Sequence, residues 1–347
     1  MGVMCYTVVL DLFLTFLFLS LSLFLEFYMA QSTNRRDFLK HSGVAVVGAG
    51  AVLAGGGAAM GHHHSTGVTA LASGVAGAQG GGGSVGANIY LSAKWGMVRI
   101  KGSILDKFKA MKEIGYDGME LNSPIGKKQI EEFVNASKKS GMPIHGTVNA
   151  KHWNVKYSVA ANKKADRDRS VKTIIRCIEN TRAVGGDAML LVCGVQGRDG
   201  KQQEVWEKSV DSIRQCLPTA AKNGVRILFE NVWNGFCQTP ELARDYVDAF
   251  SSPWVGHYFD MGNHIKFRAP QDWIRVLGHR IVKLDGKDFD KPKNKFADIG
   301  SGSADWPEIR KALAEINYTG WCTAEVAGGG VDRMTQLYKK MDRLIRA

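Results

Sequence analysis

The sequence predicts one (β/α)8 TIM barrel, an α/β fold, preceded by a cleavable leader. Three observations carry this. Eight short apolar runs alternate with amphipathic stretches from Asn88 onward. The chain beyond Ala72 has about 275 residues, close to the ~250 of one such barrel. Each of the last four apolar runs also reaches a carboxylate at or near its end. A domain of this length buries roughly three-quarters of its unfolded surface, enough for a self-sufficient core.

The expected strands are Ile89–Ser92, Gly118–Asn122, Pro143–Val148, Ala188–Cys193, Arg226–Asn231, Val255–Met261, Arg280–Asp285 and Gly320–Val326. Between them apolar residues fall three and four apart, as in Val171, Ile174, Ile175 and Ile178, and in Met334, Leu337, Met341 and Leu344. Thr239-Pro240-Glu241 marks a helix start, an N-cap followed by proline at the first helical position. Strands alternating with helices imply a parallel sheet with right-handed crossovers. An open doubly wound sheet meets the same condition. Against it, no GxGxxG follows the first strand, and polar residues recur at many strand ends rather than at one switch point.

The first 87 residues read differently. Thr33-Asn34-Arg35-Arg36-Asp37-Phe38-Leu39-Lys40 matches the twin-arginine export signature; a mild apolar stretch and Ala70-Leu71-Ala72, a small-residue cleavage site, follow. Residues 29–72 are therefore expected to be a signal peptide handed to the twin-arginine machinery, and the mature protein to be periplasmic or otherwise extracytoplasmic. Residues 73–87, with Gly80 to Gly83, form a flexible linker before a barrel over 88–347. Leu12 to Leu25 is almost wholly Leu and Phe but short of the ~20 residues that span a bilayer. Met29 is the expected initiator and 1–28 a start-site artefact; a membrane anchor is the alternative. His62-His63-His64 falls in the leader and carries no function in this reading.

The formal charge is +12, and the balanced charges of the leader leave it unchanged on removal. The basic residues are scattered over expected helices without an aromatic-interleaved stripe, so no nucleic-acid partner is expected. Five cysteines outside the leader are widely spaced and form no CxxC; Cys177, Cys193, Cys216 and Cys322 lie in apolar patterns and read as buried thiols.

In such a barrel the C-terminal strand ends build the active site. Glu230, Asp260, Asp285 and Glu325 belong to strands five to eight, each about one βα unit from the next, and can converge at one mouth. Any one of them taken alone reads as readily as a capping or salt-bridged group. Four anions at close quarters repel strongly, and a divalent cation relieves this. An all-oxygen set favours Mn2+ or Mg2+, with Zn2+ and Co2+ as further candidates.

The segments Leu228-Phe229-Glu230-Asn231, Tyr258-Phe259-Asp260-Met261-Gly262-Asn263-His264, Arg280-Ile281-Val282-Lys283-Leu284-Asp285 and Thr323-Ala324-Glu325-Val326 resemble the sugar phosphate isomerase/epimerase family. So does the glycine-rich Phe296–Gly302 before Trp306, which is similar to that family's loop after strand seven. The resemblance spans about residues 88–346. It implies a xylose-isomerase-like TIM barrel with a Glu-Asp-His-Glu metal site, mapped to Glu230, Asp260, Asp285 and Glu325, both glutamates also acting on the substrate. Asp285 departs from the family's histidine and makes the site more anionic. Many relatives have a histidine where Asn263 stands; His264, one residue on, is expected to touch substrate or to support a ligand.

Further polar residues share the mouth: Glu120, His145, His152 with Trp153 as a sugar-stacking lid, and Lys283, which has the parity of Asp285 and is expected to stabilise an oxyanion or neutralise that carboxylate. A hydrogen-bonded core group is the plainer reading of Glu120 and an equal one for His145. The expected chemistry is proton transfer through an enediolate on a carbohydrate, Glu230 and Glu325 exchanging the proton while the cation acts as Lewis acid. Isomerase and epimerase remain open. So do a lyase on keto-sugars or keto-glycosides, and a non-catalytic sugar-binding barrel. A glycoside hydrolase needs a proton donor kept neutral rather than acids on a metal. An endonuclease of related fold lacks its extra histidines, with Cys193 where one is expected. A homo-oligomer is compatible with all of these.

Overall fold

The computed structural model describes residues 88–346. The expected extension, twin-arginine signal and linker lie outside these residues. Strands β1 (Ile89–Lys94), β2 (Gly118–Ser123), β3 (Ile144–Asn149), β4 (Ala188–Leu191), β5 (Arg226–Glu230), β6 (Val255–Asp260), β7 (Ile281–Gly286) and β10 (Gly320–Ala324) form a closed parallel barrel in the order β1-β10-β7-β6-β5-β4-β3-β2. Pairing of Ile89–Ala93 with Gly320–Ala324 shuts it, which excludes the open doubly wound sheet.

Around it run α1 (Ile104–Ile114), α2 (Lys127–Ser140), α3 (Lys164–Ala183), α4 (Gln202–Arg214), α5 (Leu217–Asn223), α6 (Pro240–Asp248), α7 (Pro270–Leu277), α8 (Trp306–Glu315) and α9 (Val331–Met341). Their apolar stripes dictate which faces are covered: Val171, Ile174 and Ile178 of α3 and Met334, Leu337 and Met341 of α9 are buried against the strands. Thr239 caps α6, its side chain accepting from the Leu242 N–H, with Pro240 in the first turn. Cys177, Cys193, Cys216, Cys237 and Cys322 are all free and buried. No helix among the described residues is long and apolar enough to cross a membrane.

Two features position the site. The first is a polar layer inside the barrel. Ser92 Oγ bonds His145 Nε2 and Thr323 Oγ1, both at 2.8 Å, and the Tyr258 hydroxyl donates to Glu120 Oε1 at 3.0 Å. The Lys283 ammonium donates to His145 Nδ1 at 3.0 Å and Asp187 Oδ1 at 2.8 Å, and the His145 ring stacks on Trp321. The second is a hairpin the sequence reading did not anticipate, β8 (Asp288–Asp290) with β9 (Lys295–Ala297), followed by the glycine-rich loop. Buried Asp288 accepts from the N–H groups of Phe289, Gly300, Gly302 and Ala304 and from Trp306 Nε1, gathering this loop beside the barrel mouth. Gly302 must be glycine, because a Cβ there would stand 2.2 Å from Asp288 Oδ1. Gly302→Ala is expected to cost about 1–3 kcal/mol of stability, read from the urea unfolding midpoint.

Candidate metal centre and active site

The strand periodicity of two sets which side chains enter the barrel, and the C-terminal ends of β5, β6, β7 and β10 carry acids at inward positions. The Asp260–Asp285 register on β6 and β7, and Thr323–Asp285 on β10 and β7, bring these ends level. One carboxylate oxygen from each of Glu230, Asp260, Asp285 and Glu325 lies within 4.8 Å of all the others.

Each acid has its own support. Asp260 Oδ1 accepts from the N–H groups of Gly262 and Asn263, both at 2.7 Å. Asn231 grips the Asp260 backbone in both directions, accepting from its N–H at 2.8 Å and donating to its carbonyl at 2.9 Å. Asn263 Nδ2 donates to Glu230 Oε1 at 3.2 Å. Asp285 Oδ2 accepts from Lys94 Nζ at 2.9 Å, and the same ammonium lies 3.3 Å from Glu325 Oε2. Lys287 Nζ stands 3.3 Å from Asp260 Oδ2 and 3.6 Å from Glu325 Oε2.

Burial raises the carboxyl groups of Glu230 and Asp285 well above the usual range. The neighbouring Glu325 pushes Glu230 further, whereas Lys94 pulls Asp285 back in part. Burial likewise lifts Asp260 to about 6, against the pull of Lys287. At Glu325 burial also opposes ionisation, but Lys94 and Lys287 outweigh it and hold the group at about 2.

This donor set fits a divalent cation. Asp260 Oδ2, Asp285 Oδ1 and Glu325 Oε2 are buried and accept no hydrogen bond; the lysine ammonium groups reach the first and third only as ion pairs, and Asp285 Oδ1 not at all. Four carboxylates against two ammonium groups leave two negative charges over, the charge of one such ion. Oxygen-only ligation suits a hard ion.

Above the acids opens a pocket of about 440 Å3. Glu230 and Glu325 line it with Lys94, Lys287, Asn122 and His152, while Asp260 and Asp285 are fully buried beneath. His152 Nδ1 accepts from the Val192 N–H at 3.2 Å, which leaves its hydrogen on Nε2. Burial drives the imidazole down to about 3, so it is a neutral donor.

The profile of the family described as xylose isomerase-like TIM barrel matches residues 108–347. The chain belongs to that family. This xylose isomerase-like barrel is 24% identical over 245 residues to a 3-dehydro-D-guloside 4-epimerase of Escherichia coli (strain K12), covering 64% of this chain and 87% of the relative. It is 28% identical over 149 residues to an inosose dehydratase of Clostridium botulinum (strain Alaska E43 / Type E3), covering 37% of this chain and 50% of that enzyme. In fold it matches the crystal structure of the apo form of 3-keto-D-glucoside 4-epimerase from E. coli, with a TM-score of 0.62, 20% identity, 74% of this chain and 98% of that one.

Of the other residues singled out from sequence, His152 and Trp153 line the pocket of this xylose isomerase-like barrel. His264 does not; its Nδ1 bonds Asn231 Nδ2 at 3.1 Å and its ring stacks on Trp273, so it acts on Asp260 through Asn231. Glu120 and His145 belong to the polar layer below. Lys283 points inward as its parity requires but sits in that same layer on His145 and Asp187, one inward step below Asp285. The ion pair with Asp285 is made instead by Lys94, and Lys287 pairs with Asp260 and Glu325. Both had a signal: Lys94 shares the parity of Ser92 just past the expected end of the first strand, and Lys287 continues the series Lys283, Asp285.

Two outcomes follow from this geometry. Lys283→Met is expected to cost about 1–3 kcal/mol in urea unfolding by stripping a buried donor from His145, with Mn2+ affinity by calorimetry unmoved. Because cation binding requires ionised carboxylates and Asp260 is held near 6, protonation of Asp260 alone is expected to lower Mn2+ affinity about fourfold between pH 7 and pH 5.5 in the same calorimeter, and the raised carboxyl groups of Glu230 and Asp285 deepen the fall.

Proposed function

We propose that this protein is a divalent-metal-dependent sugar isomerase or epimerase that transfers a proton beside a carbonyl through an enediolate. The observation that carries the reading is the division of the four acids: two aspartates are sealed beneath the pocket, and two glutamates face into it. The aspartates serve only to hold an ion. The glutamates can also reach a substrate.

Glu230, Asp260, Asp285 and Glu325 would hold an Mn2+ or Mg2+ ion, which when bound would supply Lewis-acid polarisation of the sugar's carbonyl. The residues of the chain do the rest. Glu325, clasped between two ammonium groups and kept ionised, accepts the proton from the carbon next to the carbonyl. Glu230, fixed by Asn263 and favoured by burial to carry a proton, delivers one that it has taken from solvent, and Glu325 gives the proton it accepted back to solvent, which closes the cycle. Return to the same carbon inverts it; return to the adjacent carbon, with a hydroxyl proton passing between the two enediolate oxygens, interconverts aldose and ketose. Lys94, Lys287 and the His152 Nε2–H donate toward the oxygen on which negative charge develops, inside a pocket where such donors act at low dielectric.

The activities that name these relatives, a 4-epimerase on a dehydro-guloside and a 4-epimerase on a 3-keto-glucoside, support a carbonyl-bearing sugar as substrate. The inosose dehydratase relative favours a second reading, in which the same enediolate expels a leaving group. We further propose that residues 29–72 direct twin-arginine export of the barrel, and an exported enzyme is better suited to free sugars or glycosides than to sugar phosphates.

Incorporation of solvent deuterium at a sugar carbon, read by NMR on the Mn2+-loaded protein with keto-sugars and 3-keto-glycosides, tests the reading. Glu230→Gln and Glu325→Gln are each expected to lower it by a factor of about 10²–10⁴. Lys94→Met is expected to lower kcat more than it changes KM, since its ammonium serves the charge that develops during reaction. Full incorporation in both glutamine variants would overturn the assignment.

A further inference from the structure

Eight large apolar side chains stand exposed among the described residues, and four of them, Trp153, Trp233, Phe267 and Phe296, gather around the pocket mouth. Trp153, Trp233 and Phe296 line the pocket itself, each with about half of its surface open at 50%, 44% and 44%. Trp233 and Phe296 form a shelf: their rings lie 4.9 Å apart at 24°, both edge onto buried Phe289, and Trp233 Nε1 is tied to the Asn263 carbonyl. The shelf adjoins the acids directly, because Lys287, which contacts Asp260 and Glu325, has its ammonium 4.6 Å from the Phe296 ring centre.

Fixed aromatic surface costs free energy while it faces water, and a ligand that covers it recovers that cost. A free hexose, of about twelve heavy atoms, falls below the drug-sized ligands that fill pockets of ~300–1,000 Å3. Beside it this pocket of about 440 Å3 keeps room toward the shelf. Lys266, with its ammonium 5.3 Å from the Trp233 ring, offers a donor at the outer edge.

Resting on the reading of the site as a sugar isomerase or epimerase, we propose that the Trp233–Phe296 shelf is a second subsite. It takes a ring carried on the anomeric oxygen of the substrate, so that the preferred substrate is a glycoside rather than a free monosaccharide. The shared chemistry is a ring with an apolar face, whether an aromatic aglycone or a second sugar.

The test is a titration of the Mn2+-loaded protein with the methyl, phenyl and glucosyl β-glycosides of 3-keto-D-glucose. Tryptophan fluorescence reports binding, and deuterium incorporation is measured on the same samples. The phenyl compound, the glucosyl compound or both are expected to bind about tenfold tighter than the methyl compound. Preference for the phenyl compound alone assigns the shelf to an aromatic aglycone, and preference for the glucosyl compound alone to a second sugar. Trp233→Ala and, independently, the hairpin variant Phe296→Ala are each expected to bring the ratio to the methyl compound within about threefold of unity.

Equal binding of all three, binding of none, or a ratio that survives both variants would overturn the subsite. So would sedimentation showing that either variant dissociates an oligomer, which would make the aromatic patch an interface between copies. Incorporation without a preference removes the shelf and leaves the catalytic reading standing. A preference without incorporation does the reverse.

Discussion

The mutual repulsion of four carboxylates crowded at one end of a barrel is the constraint to which the rest of this structure answers. Atoms of four different acids lie within 4.8 Å of one another. At an effective dielectric of ~20 each pair of unit charges at that distance repels by about 3–4 kcal/mol. Six such pairs together exceed the ~5–15 kcal/mol by which a whole domain is stable. The acids therefore cannot all be ionised without compensation. Lys94 and Lys287 supply part of it, each spanning two of the acids, and the proposed divalent cation would supply the remainder.

The barrel makes this crowding affordable by stacking its interior in levels. At the lower level Ser92, Glu120, His145, Tyr258, Lys283 and Thr323 are joined in one network of hydrogen bonds, which Lys283 extends to Asp187. The acids above rest on a rigid polar floor instead of an apolar one that would penalise them further. Asp260 and Asp285 sit deepest and are fixed by backbone N–H groups and by Lys94. Glu230 and Glu325 reach the pocket, where the neutral His152 and the two lysines share the wall with them. In the proposed reaction, position in the stack separates groups that hold the ion from groups that react.

Much of this was legible in the sequence because the relevant information is local. An apolar run reaching Glu230, Asp260, Asp285 or Glu325 states both the strand and the end of it, and parity states the side. Parity does not state the height. Lys283 and Asp285 share a side but differ by two residues, about 6.6 Å along the strand, which is the difference between the polar floor and the ion site. Lys94 escaped notice for a related reason: the first strand runs two residues past the expected Ser92, and the extension carries the ammonium to the acids. The β8–β9 hairpin depends on Asp288 collecting N–H groups from residues up to sixteen positions away, a contact with no signature in periodicity. His264 stacks on Trp273, while Asn263, the residue before it, is the one that faces Glu230.

An anomalous-difference map at the manganese edge, from crystals of the full chain grown with Mn2+, probes the central claim most directly. The account predicts one ion per chain, within about 2.0–2.3 Å of oxygens from Glu230, Asp260, Asp285 and Glu325. Crystals with no manganese peak among these four carboxylates, or with the ion held elsewhere while Lys94 and Lys287 keep their places on the acids, would contradict it.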